Sequence, residues 1–147
     1  MSSADAVAQY EAASAAGDID ALMRTLAPDA ELISPLVANL VIRGHKDLRV
    51  LMEAVYSTIH DLRWIKRIGD DRGVVMVGEA KVGPLRIGDA VIVDLAADGS
   101  IERMRPHLRP WLATTLFALM MVPKMGRHPG LLRRSWRPAG SRLPIAS

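Results

Sequence analysis

Asp89 stands in the run Leu85-Arg86-Ile87-Gly88-Asp89-Ala90-Val91-Ile92-Val93, where strand alternation puts Ile87, Asp89 and Val91 on one face. A carboxylate on an apolar face is costly to bury ionised, so burial would raise its pKa toward the neutral range in which a general acid or base works. The structural alternative is a bulge at Gly88-Asp89 that turns the carboxyl to solvent. Tyr10 shares a helical face with Val7 and Ser14 and points wherever that face packs. Glu79 and Lys81 alternate with Gly78, Ala80 and Val82 and read as an exposed or interfacial pair. Arg105, His107 and Arg109 alternate with Met104, Pro106 and Leu108. The four histidines, His45, His60, His107 and His128, have neither the i,i+4 nor the i,i+2 spacing of metal ligands, so no metal is expected. No phosphate-binding loop, dinucleotide fingerprint or nucleophile elbow occurs, and no cofactor is expected either.

The elements that must position these groups read as α+β. A helix over 3–16 stops at Gly17, a C-cap, and Asp18 opens a second helix over 18–26 with Ile19, Leu22, Met23 and Leu26 on one face. Pro28 is expected to end it. Strands follow at 30–34 and 40–43, then a helix over 45–59 with Leu48, Leu51, Met52, Val55 and Ile59 at helical spacing. Four strands fit 62–69, 73–82, 85–96 and 100–109, separated by Asp70-Asp71-Arg72-Gly73, Gly83-Pro84 and Asp98-Gly99. The expectation is a cone-shaped, curved, mixed but mostly antiparallel sheet wrapped around three helices of the N-terminal half, with an extra C-terminal helix.

Tyr10, Ala16-Gly17-Asp18, Leu22 to Leu26, Ala27-Pro28-Asp29-Ala30, Ile42-Arg43-Gly44 and the hairpin Asp98-Gly99-Ser100-Ile101 together resemble the nuclear transport factor 2-like superfamily, in its SnoaL-like and ketosteroid-isomerase-like branch. The resemblance spans about residues 4–110. It implies that Tyr10 matches a tyrosine that donates a hydrogen bond to a developing enolate oxygen, an interaction that strengthens in the transition state. It places the branch's usual first-strand carboxylate on Ser34, which cannot abstract a carbon-bound proton alone. A second acidic position falls on Val91, with Asp89 two residues earlier on the same face. It also implies that Met104, Pro106 and Leu108 line the cavity and that the opposite sheet face, bearing Arg105, His107 and Arg109, forms a homodimer. Epoxide-hydrolase relatives use an Asp-Arg-Asp arrangement, and one of those aspartates reads Pro106 here, which disfavours that reaction.

At 147 residues, half of them apolar, the chain has enough length for one core. There is no cysteine, which fits a reducing compartment, and Met1-Ser2-Ser3-Ala4-Asp5 begins no secretory signal, so a cytoplasmic location is expected. All sixteen acidic residues lie at or before Glu102 with ten Lys/Arg, a balance of −6, whereas residues 103–147 carry nine Lys/Arg and no acid. Such a tail can dock on the acidic body of its own or a neighbouring subunit, meet an anionic membrane, or bind an acidic ligand. Its basic residues are scattered among prolines and apolar residues in no nucleic-acid motif, so no nucleic acid is expected.

Trp111 to Val122 is apolar but for Thr114 and Thr115 and ends at Pro123. Twelve residues are too few to span a bilayer, which takes about twenty. This stretch reads as a lid over the cavity, a helix at a subunit interface, or a surface helix making weak membrane contact through residues 111–134. The chain thus divides into a cone-shaped domain at 1–110, an apolar and basic helical extension at 111–134 and a poorly packed end at 135–147. The function this suggests is a cofactor-independent isomerase or cyclase of a hydrophobic, carbonyl-containing, polyketide-like molecule. Asp89 would move or hold a proton and Tyr10 would polarise the oxygen, while Ser34, Asn39, Trp64, Val91, Met104 and Leu108 shape the ligand site. The competing function is a non-catalytic binding protein for a hydrophobic ligand, which the missing first-strand carboxylate favours.

Overall fold

The computed structural model of the chain describes residues 3–137. Helix α1 (Ser3–Ala16) closes at Gly17, whose φ of 70° suits a residue without Cβ, and the Asp18 amide donates to the Ala13 carbonyl at 2.9 Å. The Asp18 carboxylate then accepts the Ala21 amide at 3.0 Å and caps α2 (Ile19–Arg24). This helix ends before the expected proline. Thr25 caps it, donating Oγ1 to the Leu22 carbonyl at 2.7 Å, and β1 (Leu26–Ile33) begins ahead of Pro28. Pro28 falls in the irregular stretch of the parallel β1 ladder between Leu26↔Ile101 and Glu31↔Arg103, a place where a strand tolerates a missing N–H.

Strand β2 (Val41–Arg43) pairs antiparallel with β1, and helix α3 (His45–Thr58) buries Leu48, Leu51 and Met52. An antiparallel meander follows: β3 (Ile59–Gly69), β4 (Gly73–Val82), β5 (Leu85–Leu95) and β6 (Ile101–Arg105). The sheet order is β2-β1-β6-β5-β4-β3, and β7 (Leu108–Arg109) also pairs with β5. The last strand expected over 100–109 is therefore two strands. Pro106 can give no ladder bond at the break, and the His107 amide and carbonyl both pair with Ala90 there. The fold is mixed α+β, with a curved, unclosed, mostly antiparallel sheet and helices over its concave face, as expected.

Helix α4 (Trp111–Gly126) follows β7 and runs three residues past Pro123, where the sequence suggested it would stop; α5 (Pro129–Ser135) is the last element of the described residues. Ala113, Phe117, Met121 and Met125 recur every fourth residue on the buried side of α4. Burial of Met125 and two bonds from Lys124 Nζ, to Ser57 Oγ at 2.9 Å and Thr58 Oγ1 at 2.6 Å, hold the turn beyond the proline. From α5, Arg134 donates Nη2 and Nε to the two carboxylate oxygens of Asp47 of α3, at 2.8 and 3.1 Å, and holds that carboxyl below its ordinary pKa. The basic extension thus docks on the acidic body of its own chain. Residues 135–137 continue this packing, with Leu40 bridging Trp136 and the Arg137 amide donating to the Asn39 carbonyl at 2.6 Å. The rest of the end expected to be loose, 138–147, lies outside the described residues.

Candidate functional site

The concave face of the sheet, α1, α3 and α4 enclose a cavity of about 440 Å³. Its wall is apolar: Leu51, Met52 and Val55 come from α3, Val91 from β5, and Phe117 and Met121 from α4. Met104, Pro106 and Leu108 line it too, so the alternation expected for this segment puts the apolar trio inward. The polar side chains lining it, among the described residues, are Tyr10, Ser34, Tyr56 and Asp89.

Asp89 pairs with Gly78 on β4 and Leu108 on β7, and its side chain faces the cavity between Ile87 and Val91, both buried. Its Oδ1 accepts the His107 amide at 3.1 Å, a donor shared with the Ala90 carbonyl at 3.0 Å. Burial pushes the carboxyl up to about 6, opposed by that amide and by the nearby His107 ring. A carboxyl poised there is ionised enough at neutral pH to accept a proton and basic enough to hold one.

Tyr10 is 3% exposed, and its hydroxyl lies 2.9 Å from that of Tyr56. Burial, with help from Tyr56 and the charge of Asp89, raises the Tyr10 pKa well above its ordinary value; burial likewise pushes Tyr56 up to about 12. Both phenols therefore stay neutral at physiological pH. When Tyr56 donates to Tyr10, the Tyr10 proton is free to point at an oxygen in the cavity. Trp64 fixes this arrangement: its Nε1 donates to Ser14 Oγ at 2.9 Å and its ring centroid lies 6.3 Å from that of Tyr10. The indole lies on Gly78, where a Cβ would come within 2.8 Å of the ring.

The other expected ligand residues divide. Val91, Met104 and Leu108 stand in the cavity wall. Ser34 also lines it, but its oxygen accepts the Leu36 and Val37 amides at 3.2 and 3.1 Å and serves the backbone turn. Trp64 faces not the main cavity but a side chamber of about 60 Å³, shared with Tyr56, Asp89 and Phe117. Asn39 is no cavity residue: with φ of 65° it makes a left-handed turn before β2, a role open to Asn for local steric reasons. Tyr56 was not anticipated, although it lies four residues after Met52 on the buried stripe of α3, a spacing that marks it.

No cluster of three potential metal-ligating side chains occurs among the described residues. The arrangement has one carboxylate opposite a pair of neutral hydroxyls in an apolar chamber. That set can take a proton from carbon next to a carbonyl while the oxygen rests on a phenol. It lacks the second carboxylate that would share activation of a water.

The SnoaL-like domain family model matches residues 7–104. No curated protein sequence matches the chain. Among solved structures, a steroid delta-isomerase from Pseudomonas aeruginosa superposes with a TM-score of 0.78 at 22% identity, over 87% of this chain and 94% of that one. An uncharacterised protein with a cystatin-like fold from Silicibacter pomeroyi gives 0.82 at 17% identity, over 90% and 94%. The epoxide hydrolase/cyclase-like enzyme SalBIII, of pyran ring formation in salinomycin, gives 0.62 at 18% identity, over 76% and 92%. Among the described residues, no helix is long and apolar enough to cross a membrane.

Proposed function

Because the chain belongs to the SnoaL-like domain family, within a nuclear transport factor 2-like superfamily that includes isomerases and cyclases, we propose that it isomerises or cyclises a hydrophobic carbonyl compound by side-chain proton transfer. The observation that carries this reading is the half-buried Asp89 carboxyl, opening with the Tyr10–Tyr56 pair into one apolar cavity. Asp89 takes a proton from the carbon next to the substrate carbonyl, the electron pair moves into the carbonyl, and Tyr10 stabilises the enolate oxygen. Asp89 then returns the proton at another carbon, or the enolate carbon attacks a second carbonyl carbon of the same molecule and Asp89 gives its proton to the alkoxide oxygen that forms. Either route needs no external oxidant or cofactor. The apolar wall holds a flexible chain in a reactive conformer and lowers the entropic part of the barrier. We place this activity in the cytoplasm, in a homodimer formed through the outer face of the sheet. That face carries the half-buried Val75, Val77, Ala90 and Ile92, with Ile68 beside them 55% exposed.

The test uses a β,γ-unsaturated 3-ketosteroid as probe, since the similar Pseudomonas aeruginosa structure is a steroid delta-isomerase. Deuterium uptake next to the carbonyl, followed by NMR in heavy water, reads the proton transfer even if the double bond does not move. Exchange should rise with pH through about 6, as Asp89 ionises, and level off above it. Asp89→Asn should lower it by roughly 10²–10⁴-fold and Tyr10→Phe by about 10²-fold. Exchange left intact by both substitutions would defeat the assignment. Tight binding of the steroid without exchange would favour the binding-protein reading, to which the engagement of Ser34 in its turn already lends weight.

A further inference from the structure

We infer that α4 is a membrane-docking helix whose outward stripe sits in the headgroup boundary of an anionic bilayer. Its exposed side carries Trp111, Leu112, Thr115, Leu119, Val122 and Pro123, which at 3.6 residues per turn fall within one arc of about 120°. Ala113, Phe117, Met121 and Met125 occupy the opposite, buried arc. Solvent-facing arcs of surface helices ordinarily carry charge; this one has none. Trp111 is 77% exposed, Leu119 64% and Val122 66%. A contiguous apolar patch of this kind marks an interaction site.

Charge selects the partner. No acidic residue follows Glu102. Arg127 follows α4 and Arg133 lies in α5; both are exposed, and neither makes an ion pair among the described residues, unlike Arg134 with Asp47. An apolar arc that begins at the exposed Trp111 and is followed in the chain by unpaired cations complements the anionic headgroups and acyl boundary of a bilayer. Val122 belongs both to the stripe and to the cavity wall, so the patch is continuous with the cavity rim. Docked in this way, the helix brings the cavity to the phase in which an apolar ligand dissolves. Docking itself does not depend on what chemistry the cavity performs.

The full chain is sedimented with vesicles of equal parts phosphatidylglycerol and phosphatidylcholine, and with phosphatidylcholine alone, while tryptophan emission is recorded. Association with the anionic vesicles, a blue shift and weakening by salt are expected. Leu112→Glu with Leu119→Glu leaves the cavity lining untouched and should reduce the partition more than tenfold. Arg127→Ala with Arg133→Ala should reduce it about 25-fold, near fivefold for each basic residue. Circular dichroism checks that each pair stays folded, and either pair alone decides the question. The inference is overturned if the wild type ignores anionic vesicles, or if binding survives the glutamates. It is equally overturned if the wild type ignores vesicles and the glutamates instead split a dimer, which would make the stripe a subunit contact.

Discussion

Holding Asp89 in an apolar wall costs stability, and the cost depends on pH. Its carboxyl titrates near 6 in the fold against 3.8 for the free group. Below 3.8 both states are protonated and nothing is lost. As pH rises, the unfolded chain gives up the proton first, so the folded state loses stability through this window, and the loss is complete above 6. At about 1.4 kcal/mol per pKa unit the full cost is about 3 kcal/mol. Asp89→Asn keeps an oxygen for the His107 amide and removes the buried charge. The variant should therefore match the wild type near pH 4 and exceed it by about 2–3 kcal/mol at pH 7 in denaturant titrations. A gap that fails to open with pH would mean the carboxylate is solvated. The same residue loses the proposed activity, which is the trade expected of a group kept for chemistry. Asp89 was legible because alternation alone sets it among Ile87 and Val91. Tyr56 was legible only as one more residue of a buried stripe, since nothing local says that its hydroxyl meets Tyr10, 46 residues away.

Elements were most legible where punctuation is local. Gly17 and Asp18 end one helix and start the next through bonds within five residues. The prolines misled because tertiary context decides their place: Pro28 sits in a strand irregularity created by β6, and Pro123 is carried by packing of Met125. The split of the last strand into β6 and β7 was likewise invisible, because it depends on what Ala90 and Asp89 offer to His107 across the sheet. The place of α4 over the cavity also rests on distant partners. Lys124 reaches Ser57 and Thr58, and Arg134 reaches Asp47, all on α3. Exposed ion pairs and single hydrogen bonds contribute little to stability, so in the lid reading these contacts would govern the opening of α4 and α5 more than the folding of the domain. Lys124→Ala with Arg134→Ala should shift the melting temperature by only a few degrees. Release of a bound apolar dye should quicken several-fold, and protease should cut sooner between α4 and α5. Unchanged dye release in the double variant would rule out a latch made by these two side chains.

The whole molecule separates its surfaces. Helices cover the concave side of the sheet, where the cavity lies, and α4 presents its uncharged stripe from that side. On the outer side, buried Glu31 receives Arg43 and lies 3.5 Å from Arg103, while Asp94 lies between Arg103 at 3.3 Å and Arg105 at 3.8 Å. These two carboxylates find their three arginines within one chain, so they demand no second copy to pair with. Next to them the register aligns Val75 with Ile92, and Val77 with Ala90, a strip that is only half covered. A second sheet face laid on it would bury those side chains and leave both cavities and both α4 helices free, which is why the proposed homodimer is compatible with docking at a membrane. A carboxylate at the centre of such a contact has no partner, and truncation or charge at a central position typically costs 2 kcal/mol or more of association. Val77→Asp should therefore lower dimer affinity at least about thirtyfold, visible as a shift from dimer to monomer in sedimentation velocity at micromolar concentration. Since Val77 points away from the cavity, binding of an apolar dye should not change. A wild type that is already monomeric at those concentrations would remove the sheet-face dimer, whereas loss of dye binding together with the dimer would show that the second copy helps to hold the cavity in shape.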